Sequence, residues 1–321
     1  MENKTKQFHA ILNKIEDYDK ILILRHQNPD PDAIGSQAGL GELLKNRYPE
    51  KSIKLAGKSF PDFHYIAEMD EISLEEFQES LLVITDTANR PRIDTPFPIK
   101  DNHPWIKIDH HPDDEPYGDI SYVDTTASSA SEIIAEMSIL LGEDLPMTDA
   151  AAQVLYAGIV GDTGRFLYPS TTSKTFMIAS KLVEYTFDHS DISNYMITRP
   201  IAVNRLAGYM YQEVKISVSG VASIVLTQEI LKQFGVSDIQ TSMLVSIPGT
   251  FEAVVCWGIF VEQASGYYRC RLRSKGPIIN QVAKRHGGGG HPLAAGANAY
   301  SLEEIQEILQ EFEELVENTS K

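Results

Sequence analysis

The chain has 321 residues, 42% hydrophobic and 23% charged, with a net charge of −17, which is room for two ordinary domains and the composition of a globular protein. Such acidity argues against a protein that tracks long nucleic acid, a task that needs a basic surface facing many phosphates; any phosphorylated ligand is expected to be small and held locally. No run approaches the ~18 apolar residues of a membrane helix, the first residues lack the apolar core of a signal peptide, and the two cysteines, Cys256 and Cys270, lie in apolar runs as reduced core residues, so a cytoplasmic protein without membrane contact is expected.

In chain order, Phe8, Ile11, Leu12 and Ile15 fall at helical spacing and predict an amphipathic helix over 5–18. The run Ile21–His26 then reads as a strand buried on both faces. His26, Asp30 and Asp32 follow within seven residues, and Pro29 and Pro31 keep the carboxylates on a loop at the strand's carboxyl end. That edge is where open α/β sheets bind ligands. An imidazole with two carboxylates there is half of a divalent-metal site; the same residues also suit an Asx-rich turn that caps the helix predicted over 33–48.

A weak strand at 52–55 and a helix over 75–80 come next. Strand 81–85 ends on Asp86, and strand 104–108 ends on Asp109-His110-His111. Helices over 128–141, with Ser/Thr capping chemistry before it, and 148–158 lead to Gly161-Asp162-Thr163-Gly164. Alternating strands and helices predict a doubly wound, mostly parallel sheet. Any one Asp after a strand is most simply a cap. The repetition argues for more, because in a parallel sheet these ends converge on one edge.

Composition shifts between Tyr185 and Pro200, and a linker at 188–205 is expected between a first domain, 1–187, and a second, 206–321. After a helix over 202–213, strand-like runs at 214–218, 221–227, 253–257 and 267–272 mix with helices over 231–234, 278–286 and 302–317, predicting a smaller α/β domain built on a mixed sheet. Arg269, Arg271 and Arg273 alternate along one strand and so share a face, where three like charges call for an anion. Gly287 to Gly290 followed by His291 lets backbone amides approach a ligand closely. Together they predict an anion pocket.

These residues resemble the DHH/DHHA1 phosphoesterase family. Asp109-His110-His111 is similar to its naming motif, His26-x-x-x-Asp30-x-Asp32-x-x-Gly35-Ser36 to its first motif, Asp86 to its second, Gly161-Asp162-Thr-Gly164-Arg165-Phe166 to its fourth, and Gly287 to Gly296 to the DHHA1 signature. The likeness spans nearly the whole chain and looks most like the branch that degrades very short oligoribonucleotides (nano-RNA) to mononucleotides and removes the 3′-phosphate of pAp. It implies a metal-binding DHH domain, a substrate-binding DHHA1 domain, a cleft between them, and a homodimer. It implies two divalent cations, Mn2+ with Mg2+ or Co2+ as substitutes: His26, Asp30 and Asp86 would hold one, and Asp32, Asp86, His110 and Asp162 the other. Asp109 would orient the site and His111 contact the scissile phosphate, making Asp86, Asp109, His110 and His111 the catalytic group. His111, Arg269, Arg271, Arg273, Ser274, Gly288, Gly289, Gly290 and His291 would hold the substrate. Two rivals stay open: a cyclic- or linear-dinucleotide phosphodiesterase of the same family, and an inactive nucleotide-binding regulator.

Overall fold

The computed structural model describes residues 2–113 and 115–319, and the chain divides into two compact units, Met1–Ile197 and Thr198–Lys321. In the first unit the order is α1 (Glu2–Glu16), β1 (Lys20–Leu24), α2 (Pro31–Arg47), β2 (Ser52–Leu55), α3 (Leu74–Glu79), β3 (Leu81–Thr85), β4 (Trp105–Asp109), β5 (Ile120–Val123), α4 (Ala130–Leu141), α5 (Asp149–Asp162), α6 (Ser173–Leu182) and α7 (His189–Ile197). The five strands pair in parallel in the order β2-β1-β3-β4-β5. Side chains alternate across the sheet. Ile21, Ile23, Leu81, Val83, Ile106 and Ile108 pack with residues of α1, α2, α4 and α5, whereas Leu22, Leu24, Leu82, Ile84 and Trp105 pack with Phe77 of α3. Both faces are covered, so these strands read as unbroken apolar runs; each buried aliphatic side chain contributes about 1.5–3 kcal/mol.

The strand order reverses between β1 and β3. In doubly wound sheets the crevice at that reversal is the ligand position, and here it collects the residues following Leu24 and Thr85. The edge strand β5 carries a half-exposed pattern instead of an apolar run, which is why the sequence gives it no signal. The stretch 188–205, expected as a linker, is largely helical: α7 fills its first part, and α8 (Ile201–Glu213) starts directly after Pro200. Pro200 starts a helix instead of ending one, because the first turn needs no amide from it.

The second unit continues with β6 (Lys215–Ile216), β7 (Val221–Leu226), α9 (Gln228–Phe234), β8 (Cys256–Glu262), β9 (Tyr268–Ser274), α10 (Asn280–Arg285), β10 (Gly289–His291), β11 (Ala294–Ala299) and α11 (Leu302–Thr319). Its six strands run β10-β11-β9-β8-β7-β6, with β7 and β8 parallel and the other pairs antiparallel. The strand expected at 253–257 instead spans Cys256–Glu262, continuing through Gly258, where the missing side chain makes room for the Phe260 ring. The Ala/Gly run of β11 lacks β-branched residues and gives no strand signal. None of the helices is long and apolar enough to cross a membrane among the described residues.

Candidate metal centre and anion-binding face

Asp30 is the N-cap of α2: one oxygen accepts from the Ala33 amide at 3.0 Å, with Pro31 next in line. The turn reading and the ligand reading are therefore compatible, because the other oxygen lies 4.0 Å from His26 Nε2. Asp32, one residue into the helix, is buried and accepts from the Ala130 and Ser131 amides at 2.7 and 2.8 Å. The start of α4 thus faces it with oriented N–H donors and a favourable helix dipole. α2 and α5 pack antiparallel on small residues: a Cβ on Gly161 would meet Pro31, one on Gly35 would meet the Val154 carbonyl at 2.6 Å, and one on Gly39 would meet Leu155. This contact brings Asp162, at the end of α5, beside the start of α2.

Asp86 follows β3 directly with a left-handed backbone, φ 48°, which costs a non-glycine residue about 1–2 kcal/mol. The surroundings impose it. The Asp86 amide donates to the Ile108 carbonyl at 3.0 Å, and the Tyr117 hydroxyl to the Thr87 carbonyl at 2.6 Å. The Asp86 carboxylate stands 3.3 Å from His26 Nε2, 3.4 Å from His110 Nε2 and 3.4 Å from His111 Nδ1. His110 Nε2 is also 3.9 Å from Asp32 and 3.7 Å from Asp162. Three groups of donors result, each with its atoms within 4.8 Å: His26, Asp30 and Asp86; Asp86, His110 and His111; Asp32, His110 and Asp162.

The electrostatics are those of carboxylates and imidazoles crowded together in a largely buried cluster. Burial alone would raise the Asp86 pKa, but His110 and His26 outweigh it and hold it well below the carboxylate range. Burial works against a charged His26, yet Asp86 lifts its pKa to about 9. Asp162 is pushed up to about 7 by burial and then by Asp30 and Asp86, against His110 and His111. Asp32 is raised by burial and by the charges of Asp86 and Asp162. One oxygen of Asp86, buried, has no well-aligned hydrogen-bond donor. Imidazoles and carboxylates with an orphaned oxygen among them suit divalent metal ions.

Two buried cations that the sequence reading passes over support this edge. Lys107, fully buried in β4, reaches the Ala88 carbonyl at 3.1 Å, Asp113 at 2.7 Å and Asp109 at 3.6 Å. Asp109 in turn accepts from the His110 amide at 2.8 Å and the His111 amide at 3.2 Å, and lies 2.9 Å from His111 Nδ1. Arg25, also fully buried, pairs with Asp94 and donates to the His26 carbonyl at 3.1 Å. The available signal was a charge inside an apolar strand run, which demands a partner.

In the second unit the register puts Arg269 opposite Asn298, Arg271 opposite Gly296 and Arg273 opposite Ala294, with Gly289 and His291 next to Gly296 and Ala294 on β10. Directly paired residues share a face, so the three arginines, Asn298 and His291 lie on one side, over a floor of Gly289 and Gly296. Asn298 is absent from the sequence reading. Ser274 alternates to the other face, where its hydroxyl accepts from the Gly276 amide at 3.0 Å. Arg271 is half-buried, donates toward the Asp238 carbonyl at 3.3 Å, and has its pKa drawn down to about 10 by burial and by Arg269 and Arg273. The Gly288 amide is committed to the Ala283 carbonyl at 2.8 Å, and a Cβ there would meet the Gly296 oxygen at 1.9 Å. Much of the glycine tract therefore builds the hairpin itself.

The model for the DHH family, N-terminal domain, matches residues 20–159, and that for the DHHA1 domain matches 206–318. The chain belongs to the DHH family. Among DHH relatives, a Streptococcus mutans protein named "Probable bifunctional oligoribonuclease and PAP phosphatase NrnA" is 52% identical over 309 residues, covering 96% of this chain and 99% of its own. A Bacillus subtilis protein named "Bifunctional oligoribonuclease and PAP phosphatase NrnA" is 42% identical over 310 residues, covering 95% and 97%. In three dimensions the crystal structure of an exopolyphosphatase-related protein from Bacteroides fragilis matches with a TM-score of 0.86 at 24% identity, over 97% of this chain and 98% of that one. That likeness establishes the shared DHH–DHHA1 fold.

Proposed function

We propose that this chain is a cytoplasmic, metal-dependent phosphoesterase that hydrolyses very short oligoribonucleotides to mononucleotides and removes the 3′-phosphate of pAp to give AMP. The observation that carries the reading is Asp86, one buried carboxylate common to the His26–Asp30 group and the His110–His111 group. The names of the two bacterial relatives supply the substrate class. His26, Asp30 and Asp86 would hold one divalent cation and Asp32, Asp86, His110 and Asp162 a second, with Mn2+ favoured. Such cations lower the pKa of a water and neutralise charge on the attacking and leaving oxygens of a phosphoryl displacement.

The chain's own groups do the rest. Asp109, anchored by Lys107, fixes the His111 ring through Nδ1, and His111 is assigned to the scissile phosphate. Asp32 keeps its orientation through the α4 amides. In the second unit, Arg269, Arg271, Arg273 and His291 are assigned to nucleotide phosphate, with bidentate donors in the case of the arginines. Gly289 keeps the floor of that face low. Positive charge concentrated on one face reconciles a phosphate ligand with an overall charge of −17.

A turnover panel with Mn2+ tests the reading on pAp, a diribonucleotide, a longer single strand, and cyclic and linear dinucleotides. AMP from pAp and mononucleotides from the dimer are expected, with Asp86→Ala inactive on every substrate. Turnover confined to a cyclic dinucleotide would overturn the substrate assignment, and an active Asp86→Ala the shared-carboxylate centre.

A further inference from the structure

The cationic face of the second unit does not end at Arg269. β9 and β11 stay paired as far as Tyr268 opposite Ala299, so one residue further out Tyr267 and Tyr300 continue the rows of Arg269 and Asn298 by the two-residue period of a strand. Tyr268 packs the other way, against the core beneath α11. The Tyr267 and Tyr300 rings lie 6.0 Å apart between centroids. Tyr300 is 72% exposed. It precedes Ser301, whose hydroxyl accepts from the Glu304 amide at the start of α11. An aromatic at that position ordinarily folds inward to staple against the fourth helical residue, but Ile305 is buried without it. The Tyr300 amide donates to Glu304 at 2.7 Å, so the backbone is tied down while the ring faces water.

An exposed ring at the end of a row of cations is the layout that binds single-stranded nucleic acid: the cations follow phosphates and the ring stacks on a base of any identity. Asn298, between the rings and the inner arginines, offers an amide donor and acceptor to a base edge or a 2′-hydroxyl. We infer that Tyr267 and Tyr300 form a nucleobase-stacking subsite for an oligoribonucleotide whose phosphates lie along the arginine row. From Arg273 to Tyr267 the chain makes six residue steps, about 20 Å when extended. That is more than one nucleotide spans, so an oligonucleotide whose phosphate is held at Arg273 uses the subsite and pAp held there does not. The inference rests on the phosphoesterase reading for its ligand class.

The test is calorimetric titration of the full chain in excess EDTA, which stops turnover, with pAp and with a 5′-phosphorylated triribonucleotide. Tyr300→Ala weakens the trinucleotide about fivefold or more, the loss of one base–aromatic stack. Tyr300→Phe, which keeps the ring, binds it as the wild type does, and pAp affinity is the same in all three proteins. A trinucleotide affinity unchanged in Tyr300→Ala, a loss shared equally by pAp, or no trinucleotide binding by the wild type overturns the subsite. A wild type that binds in this pattern yet turns over neither ligand with any divalent metal overturns the phosphoesterase reading and leaves the subsite standing.

Discussion

Lys107 shows how much a single side chain decides at this edge. It is fully buried and faces two carboxylates, Asp109 on its own strand and Asp113 on the loop beyond the histidines. Removing one partner of a buried ion pair costs more than the pair contributes, because the remaining charge is stranded. Lys107→Met keeps the apolar stem and deletes the cation. The expected loss is about 3 kcal/mol, at the lower end of the usual range since Asp113 is 31% exposed; urea unfolding measures it. With Asp109 unanchored, kcat on pAp should fall at least tenfold while KM moves little. Wild-type stability and kcat in this variant would remove Lys107 from the machinery. His26, Asp86, Asp109 and His110 are legible in the sequence because each ends or closely follows an unmistakable apolar strand run, Asp30 and Asp32 because they open the helix after the first such run, and Asp162 because it closes an apolar helix. Lys107 and Arg25 are not, because a charge within such a run reads as a strand that reaches the surface.

Among the elements, α2 and α5 meet with almost nothing between them. Gly35→Ala would favour the helix by up to about 1 kcal/mol through propensity, but its methyl would sit 2.6 Å from the Val154 carbonyl, a backbone atom that cannot step aside. Overpacking of this kind costs about 1–3 kcal/mol, so net destabilisation is expected, read as a lower thermal midpoint; an unchanged midpoint would mean the helices separate freely.

In the second unit, α10 and α11 are joined by His286, whose ring nitrogens lie 3.1 Å from Glu304 and 3.0 Å from Glu311. Burial lowers the His286 pKa, but the two carboxylates outweigh it and raise it. A raised pKa means the clamp contributes fully below the unfolded value of about 6.5 and is lost as pH rises through the folded one. Between about pH 6 and about 9, the thermal midpoint of this unit should fall, and His286→Gln should flatten that fall. An identical slope in the variant would show that the clamp carries no linkage. Long periodic helices such as α11 are plain in the sequence. The hairpin of β10 and β11 is hidden because its Ala and Gly residues are chosen for closeness to neighbouring backbone, not for strand propensity.

For the whole molecule, the net charge of −17 and the gathering of Asp30, Asp32, Asp86 and Asp162 at one edge make the metal-free protein work against its own repulsion. A ligand that binds only the folded form at a hundred times its Kd adds about 2.7 kcal/mol. For a unit the size of the first, that corresponds to a rise of roughly 5–10 °C in unfolding midpoint. EDTA should remove this increment and Mn2+ restore it, and Asp86→Ala should abolish the response; an equal shift in that variant would place the stabilising metal elsewhere. The architecture of each unit follows from strand and helix periodicity. The stretch joining them does not, since Pro200, at the end of the composition shift, opens a helix.

The glycine contact between α2 and α5 also has a bearing on metal choice. With backbone against backbone, the positions from which Asp32 and Asp162 extend their side chains are set by the helix contact. Asp30 is different, since its side chain is 52% exposed at the loop. If divalent cations are held here as proposed, tolerance of ion radius would fall to the His26–Asp30 side and discrimination by radius to the Asp32–Asp162 side.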